Sequence, residues 1–215
     1  MNSVTIHLAA ILIGASASNA ASSAYFLTNN EATTIKDAGG SALTSGVGTV
    51  QGDGAIIQLG YFSTSTNSFS GTWNAIAGIG SLNPSLDPRV GDFDTQSDIP
   101  DGFFSISVTF DDGAGTDVGL PAADTQLAIR FYDTATEGNL SSANFNTATN
   151  NLWTFNALGD PAPTDRILDI TQTTGTTVWE DSGNAFKTSI TAVPEPSSFA
   201  LLGLGALAMT FRRKK

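Results

Sequence analysis

The sequence predicts an all-β fold, an antiparallel β-sandwich or jelly-roll-like domain. Three observations carry that expectation. Short apolar runs alternate with polar residues at period two, which places successive side chains on opposite faces of a strand. Clusters of Gly, Asn, Asp and Pro separate the runs and favour turns, and no heptad, βαβ rhythm or internal repeat appears. The composition also suits a pleated core: 13 Phe, 3 Trp and 3 Tyr are present, and with no Cys the fold must be held by packing rather than by disulfides.

At the N-terminus, residues 4–17 (VTIHLAAILIGASA) form an apolar run of the length of a signal-peptide core. Ser18-Asn19-Ala20 follows with the small-x-small pattern that a signal peptidase accepts, so Ser18 and Ala20 mark the expected cleavage site and 1–20 the signal peptide. No Lys or Arg precedes the run, which leaves the amino terminus as its positive charge. The extracytoplasmic β domain is then expected over 21–192.

Within that body, strands are predicted at 55–62 (AIIQLGYF), 103–110 (FFSISVTF), 126–132 (QLAIRFY), 152–157, 167–171, 177–179 and 186–190. Alternation is clearest where Phe104, Ile106, Val108 and Phe110 share one face and Ser105, Ser107 and Thr109 take the other. Leu127, Ile129 and Phe131 repeat it against Ala128, Arg130 and Tyr132, which predicts one dry and one wet face. Residues 69–79 (FSGTWNAIAGI) are read as a short helix crossing the sheet.

Composition also excludes functions. The single histidine, His7, lies in the segment expected to be removed. A body without Cys or His has no serine–histidine triad, thiol nucleophile or imidazole-ligated metal, and the protein is expected not to be an enzyme. A carboxylate pair alone can hydrolyse a glycoside, but acidic residues are scattered through nearly every loop and single out no pair. Between the two processing segments the body carries 5 basic and 19 acidic residues, a net charge of −14 that repels nucleic acid.

Two acidic loops offer hard oxygen ligands to calcium, the one candidate cofactor: Asp92, Asp94 and Asp98 in the polar connection 87–100, and Asp111, Asp112 and Asp117 in DDGAGTD. Neither matches an EF-hand or nonapeptide calcium pattern, and such Gly-rich acidic loops are more commonly solvated turns. Trp73, Trp153 and Trp179 are expected to be core residues, their alternative being a sugar-stacking platform for extracellular polysaccharide. Asn139-Leu140-Ser141 fits a glycosylation sequon, a pattern short enough to occur by chance.

The C-terminus has three parts. Val193-Pro194-Glu195-Pro196 is followed by Ser197-Ser198, then the apolar stretch 199–211 (FALLGLGALAMTF), then Arg212, Arg213, Lys214 and Lys215. Both prolines lack an N–H and hold the preceding residues extended, a form suited to a protease cleft. As a helix the apolar stretch spans roughly 20 Å, short against a hydrocarbon core of about 30 Å. Snorkelling of the terminal cations lengthens its effective span, and the positive-inside rule keeps them in the cytoplasm.

This order and spacing resemble the PEP-CTERM sorting signal of bacteria that make extracellular polysaccharide, over residues 193–215. The resemblance implies a transmembrane helix at about 198–211 and recognition of the Pro-Glu-Pro region by an exosortase-like membrane transpeptidase. It implies removal of the helix and basic tail, and delivery to the cell surface or extracellular matrix. On that reading the protein has a structural or interaction role, with a carbohydrate-binding module, calcium-assisted or not, as the alternative.

Overall fold

The computed structural model describes residues 22–29, 33–46, 54–64, 69–91, 100–111 (Asp111 by its backbone), 117–156 and 166–191. Among these described residues nine strands run in chain order: β1 (Ser22–Thr28), β2 (Ile57–Phe62), β3 (Trp73–Ala77), β4 (Ser105–Asp111), β5 (Gln126–Tyr132), β6 (Asn144–Thr154), β7 (Ile167–Asp169), β8 (Thr177–Trp179) and β9 (Ile190–Thr191). Among the described residues the helices are two single 3₁₀ turns, Glu137–Asn139 and Ser182–Asn184. The described residues adopt the expected all-β class.

The strands form two sheets. One is three-stranded in the order β4-β1-β7, and the other runs β3-β2-β5-β6-β8 with β9 also pairing β6. All pairings are antiparallel except β1 with β7. Tyr25, Leu27, Val108, Phe110 and Leu168 of the smaller sheet share one core with Ile57, Leu59, Leu127, Ile129, Phe131 and Trp179 of the larger. Phe104, just before β4, meets Phe131 of β5 with ring centroids 5.4 Å apart. Within the same core, Tyr25, Phe110 and Phe155 pack with centroids 5.9–6.0 Å apart. Removing such faces from water supplies the main driving force for folding.

Period-two alternation holds through Phe104 and β4, where Phe104, Val108 and Phe110 are buried and Ser107 and Thr109 exposed. In β5 it fails. Ala128, Arg130 and Tyr132, expected on a wet face, are as buried as their inward neighbours. Aromatic side chains from β2, β3 and β6 cover that outer face, as described below.

The predicted helix at 69–79 is instead strand β3 at the edge of the larger sheet, paired antiparallel with β2. Gly71 and Gly78 flank it with φ of +91° and +107°, a left-handed conformation that breaks any helix, while the edge of β2 offers backbone partners. At 186–190 a strand was also predicted, but Phe186 has φ +60° and only Ile190–Thr191 pair with β6. Strand β1 was not predicted, and β6 begins eight residues before the predicted 152.

That long central strand is polar yet satisfied. Asn146, 1% exposed, donates to the carbonyls of Asn184 and Lys187 at 3.0 and 2.9 Å and accepts from the amides of Thr147 and Asp181. Asn150 donates to the Thr174 carbonyl and the Thr177 hydroxyl. Both side chains thus replace turn hydrogen bonds that flanking loops would otherwise lack.

Candidate functional site

Alternation in β2 and β5 places Gln58, Arg130 and Tyr132 on the outer face of the larger sheet, with Gln58 opposite Arg130 in register. Phe62 pairs with Trp73 across β2 and β3, and Tyr132 with Phe145 across β5 and β6. The Arg130 guanidinium lies 4.3 Å from the ring centroid of Trp73 and 4.3 Å from that of Phe145. Its Nε donates to the Thr147 hydroxyl at 2.9 Å, and its outer nitrogen meets Glu180 at 3.4 Å. A cation between two electron-rich faces, with these partners, is why a charged residue is tolerated at 8% exposure.

Beside this stack opens a cleft of about 810 Å³. Gln58, Tyr132, Trp73, Asn74 and Ala75 contribute from the strands, and Gly80, Ser81, Leu82, Leu140 and Ser141 from two loops. Trp73 is half-buried and is one of the residues that line the cleft. Gln58 fixes the floor: its Oε1 accepts from Trp73 Nε1 at 3.0 Å and from the Tyr132 hydroxyl at 2.9 Å, while its Nε2 donates to the Ile79 carbonyl at 2.8 Å. Burial pushes the Tyr132 phenol above its ordinary pKa, so it stays a neutral donor. None of the ten lining residues is charged. The cleft is therefore a neutral pocket with one oriented indole, apolar walls in Leu82 and Leu140, and amide and hydroxyl groups at its rim.

The predicted site residues fall in several places. Ser18, Ala20, Val193, Pro194, Glu195, Pro196, Arg212, Arg213, Lys214 and Lys215 lie outside the described residues, as do Asp92, Asp94, Asp98 and Asp112. Asp111 ends β4 opposite Ser22, and Asp117 is half-buried beside Val118. Among the described residues no three acidic side chains gather where a metal ion would sit. Two neighbouring acids have structural work. Asp101 accepts from the Ser45 amide and hydroxyl at 2.8 and 2.7 Å, which holds its carboxyl below the usual range. Asp87 pairs with Arg89 at 2.9 Å, yet burial outweighs that partner and pushes its pKa up. Arg89 in turn ties the carbonyls of Gly54 and Ala135 together.

Of the three tryptophans, Trp153 and Trp179 are core residues at 2% and 8% exposure. Trp73 divides its surface between the Arg130 stack and the cleft. The sequon lies at the 3₁₀ turn beside that cleft, with Asn139 exposed and Leu140 and Ser141 lining the wall. Gln58 and Tyr132 were not singled out from the sequence. One signal was available: Gln58 is the lone polar residue inside an apolar strand, and such a residue must find partners when buried.

Residues 192–214 match the family model described as the PEP-CTERM protein-sorting motif. No curated protein and no solved structure matches the chain. The C-terminal segment therefore carries the sorting motif that its residues resemble, and this motif indicates an exported protein recognised by exosortase. It also implies a membrane-anchored C-terminus before processing and a surface location afterwards. The match covers the tail and speaks of sorting, not of the chemistry of the β-sheet body.

Proposed function

We propose that this protein is a non-enzymatic component of the cell surface or extracellular matrix. It is exported behind a signal peptide removed after Ala20, then released from a short membrane helix by an exosortase-like transpeptidase acting near Val193-Pro194-Glu195-Pro196. The observation that carries the reading is the sorting-motif match at 192–214, which begins immediately after β9 ends at Thr191. The Arg212–Lys215 cluster supports it, because four cations oppose translocation of that end.

Intact mass of the protein from its native host, in wild type and in an exosortase-deletion strain, tests this reading. The expected wild-type species lacks about residues 1–20 and the tail beyond about Val193, and the deletion strain retains the tail. A full tail in both strains would reduce the motif to a plain membrane anchor.

A second reading, a carbohydrate-binding module, is favoured by one observation: Trp73, its indole held by Gln58, lines an uncharged cleft. Calcium, proposed at the acidic loops, belongs to this reading. Sugar binding abolished by EDTA and restored by calcium would support a calcium-assisted module, and sugar binding indifferent to EDTA would dismiss the calcium while leaving the module in place.

A further inference from the structure

We propose that the Trp73 cleft is the binding site for a neutral hexose oligosaccharide, with one pyranose ring lying on the exposed part of the indole; this rests on the carbohydrate-binding reading above. A pyranose presents an apolar, slightly positive C–H face and a rim of hydroxyls. The cleft has the residue types to complement it, with the aromatic Trp73 in its lining together with Asn74, Ser81 and Ser141. Its volume of about 810 Å³ falls within the roughly 300–1,000 Å³ of small-molecule sites.

Charge decides which sugars fit. No lining residue is basic, and the nearest cation is already spent: Arg130 is stacked between Trp73 and Phe145 and bonded to Thr147 and Glu180. An anionic glycan would meet no counter-charge there, and the acidic body would repel it. A neutral glycan pays no such penalty.

Preorganisation argues that the indole is set for a ligand. Trp73 Nε1 is held by Gln58, whose remaining groups are taken by Tyr132 and Ile79, so the ring has little orientational freedom to lose on binding. Underneath, Gly60 leaves room for it, since a Cβ there would sit 2.7 Å from the Trp73 ring. Gly80 on the opposite wall is equally constrained: its φ is +73°, and a Cβ would lie 2.8 Å from Leu140 Cδ1.

The test uses the full chain in a zwitterionic detergent without a sugar headgroup. Cellohexaose, laminarihexaose and maltohexaose are the neutral probes and hexagalacturonate the anionic one. Binding is read by saturation-transfer NMR and by tryptophan emission, to which Trp73 is the contributor with solvent access. At least one neutral hexaose is expected to bind and to shift the emission. Trp73→Ala should weaken binding about tenfold or more, Trp73→Phe should retain part of it, and Ser141→Trp should block the cleft from an exposed position without lowering the melting temperature. Binding that persists unchanged in Trp73→Ala and Ser141→Trp would overturn the cleft assignment while leaving a carbohydrate-binding module in place. Preference for hexagalacturonate would overturn the neutral-sugar assignment while leaving a carbohydrate-binding module in place, and no binding of any probe would overturn both. Neither result bears on tail processing, which is read by mass in the host.

Discussion

Arg130 shows how one side chain organises a surface that would otherwise be wet. Its guanidinium satisfies its donors on Thr147 and Glu180 while Trp73 and Phe145 cover its faces. The Glu180 contact is long and partly exposed, so the ion pair contributes little; the stacking and the aliphatic stem contribute more. Two substitutions separate these terms. Arg130→Ala removes stem, cation and hydrogen bond together and should lower the unfolding free energy by about 2–3 kcal/mol. Arg130→Met keeps the stem between the rings and should cost about half of that. Urea denaturation followed by circular dichroism measures both. Equal losses would mean that charge and hydrogen bonding, not packing, hold the stack together. The sequence could not announce this arrangement, because an arginine alternating with Leu127, Ile129 and Phe131 reads as a solvent-facing residue. Its burial depends on rings brought from β3 and β6, which are far away in the chain.

Among the elements, the β2–β3 ribbon is the most consequential for the cleft. The register shifts between Leu59 and Gly60, and the Trp73 ring folds over the glycine. A Cβ at Gly60 would lie 2.4 Å from the Asn74 carbonyl oxygen and 2.7 Å from the indole. Backbone cannot yield as a flexible side chain does, so Gly60→Ala should cost about 1–3 kcal/mol by overpacking. It should also displace Trp73, so melting temperature and indole emission should change together; a lower melting temperature with unchanged emission would show that the ring is positioned by Gln58 alone. The same ribbon marks a limit of sequence reading. Strands with alternating apolar residues, such as β4 and β5, were legible because their own side chains carry the period. β3 was read as helix because Trp73-Asn74-Ala75-Ile76-Ala77 has no clean alternation, and its extended form is imposed by the edge of β2 and by Gly71 and Gly78. The first part of β6 was passed over because Asn146, Thr147, Thr149 and Asn150 look like loop residues; Asn146 and Asn150 bond to groups 24–41 residues later in the chain, while Thr147 bonds to Arg130 and Thr149 to the Leu127 carbonyl. β1 has only Tyr25 and Leu27 as strong inward residues after two serines, a pattern too short to signal a strand. The cleft was half legible: Trp73 is readable from the sequence as a sugar-platform alternative, while Gln58 and Tyr132 acquire their role only through strand register.

For the whole molecule, the decisive relation is between the folded body and the sorting tail. β9 is the last strand among the described residues, two residues long, with Ile190 opposite Phe145 and the Thr191 hydroxyl donating to Asn144 at 3.0 Å. Pro194 follows only three positions later, a reach of at most about 11 Å even if fully extended. A body of about 170 residues has a radius of gyration near 16 Å. A membrane protease that engages Pro194-Glu195-Pro196 must therefore work within about one strand-length of a domain considerably larger than that gap. The proposed cleavage is then expected to be limited by crowding between body and membrane, or by peeling of β9, whose few hydrogen bonds place it at the low end of local stability. An eight-residue Gly/Ser spacer inserted after Thr191 relieves both limits, since it adds reach without touching the pairing of β9 or the motif at 192–214. Pulse-chase in the native host should show tail removal several-fold faster for the spacer variant than for wild type. A control chain with the same spacer in a loop away from the tail should process at the wild-type rate. Equal rates for all three would mean that the body imposes no steric limit, and that recognition of the Pro-Glu-Pro strip itself sets the pace of release.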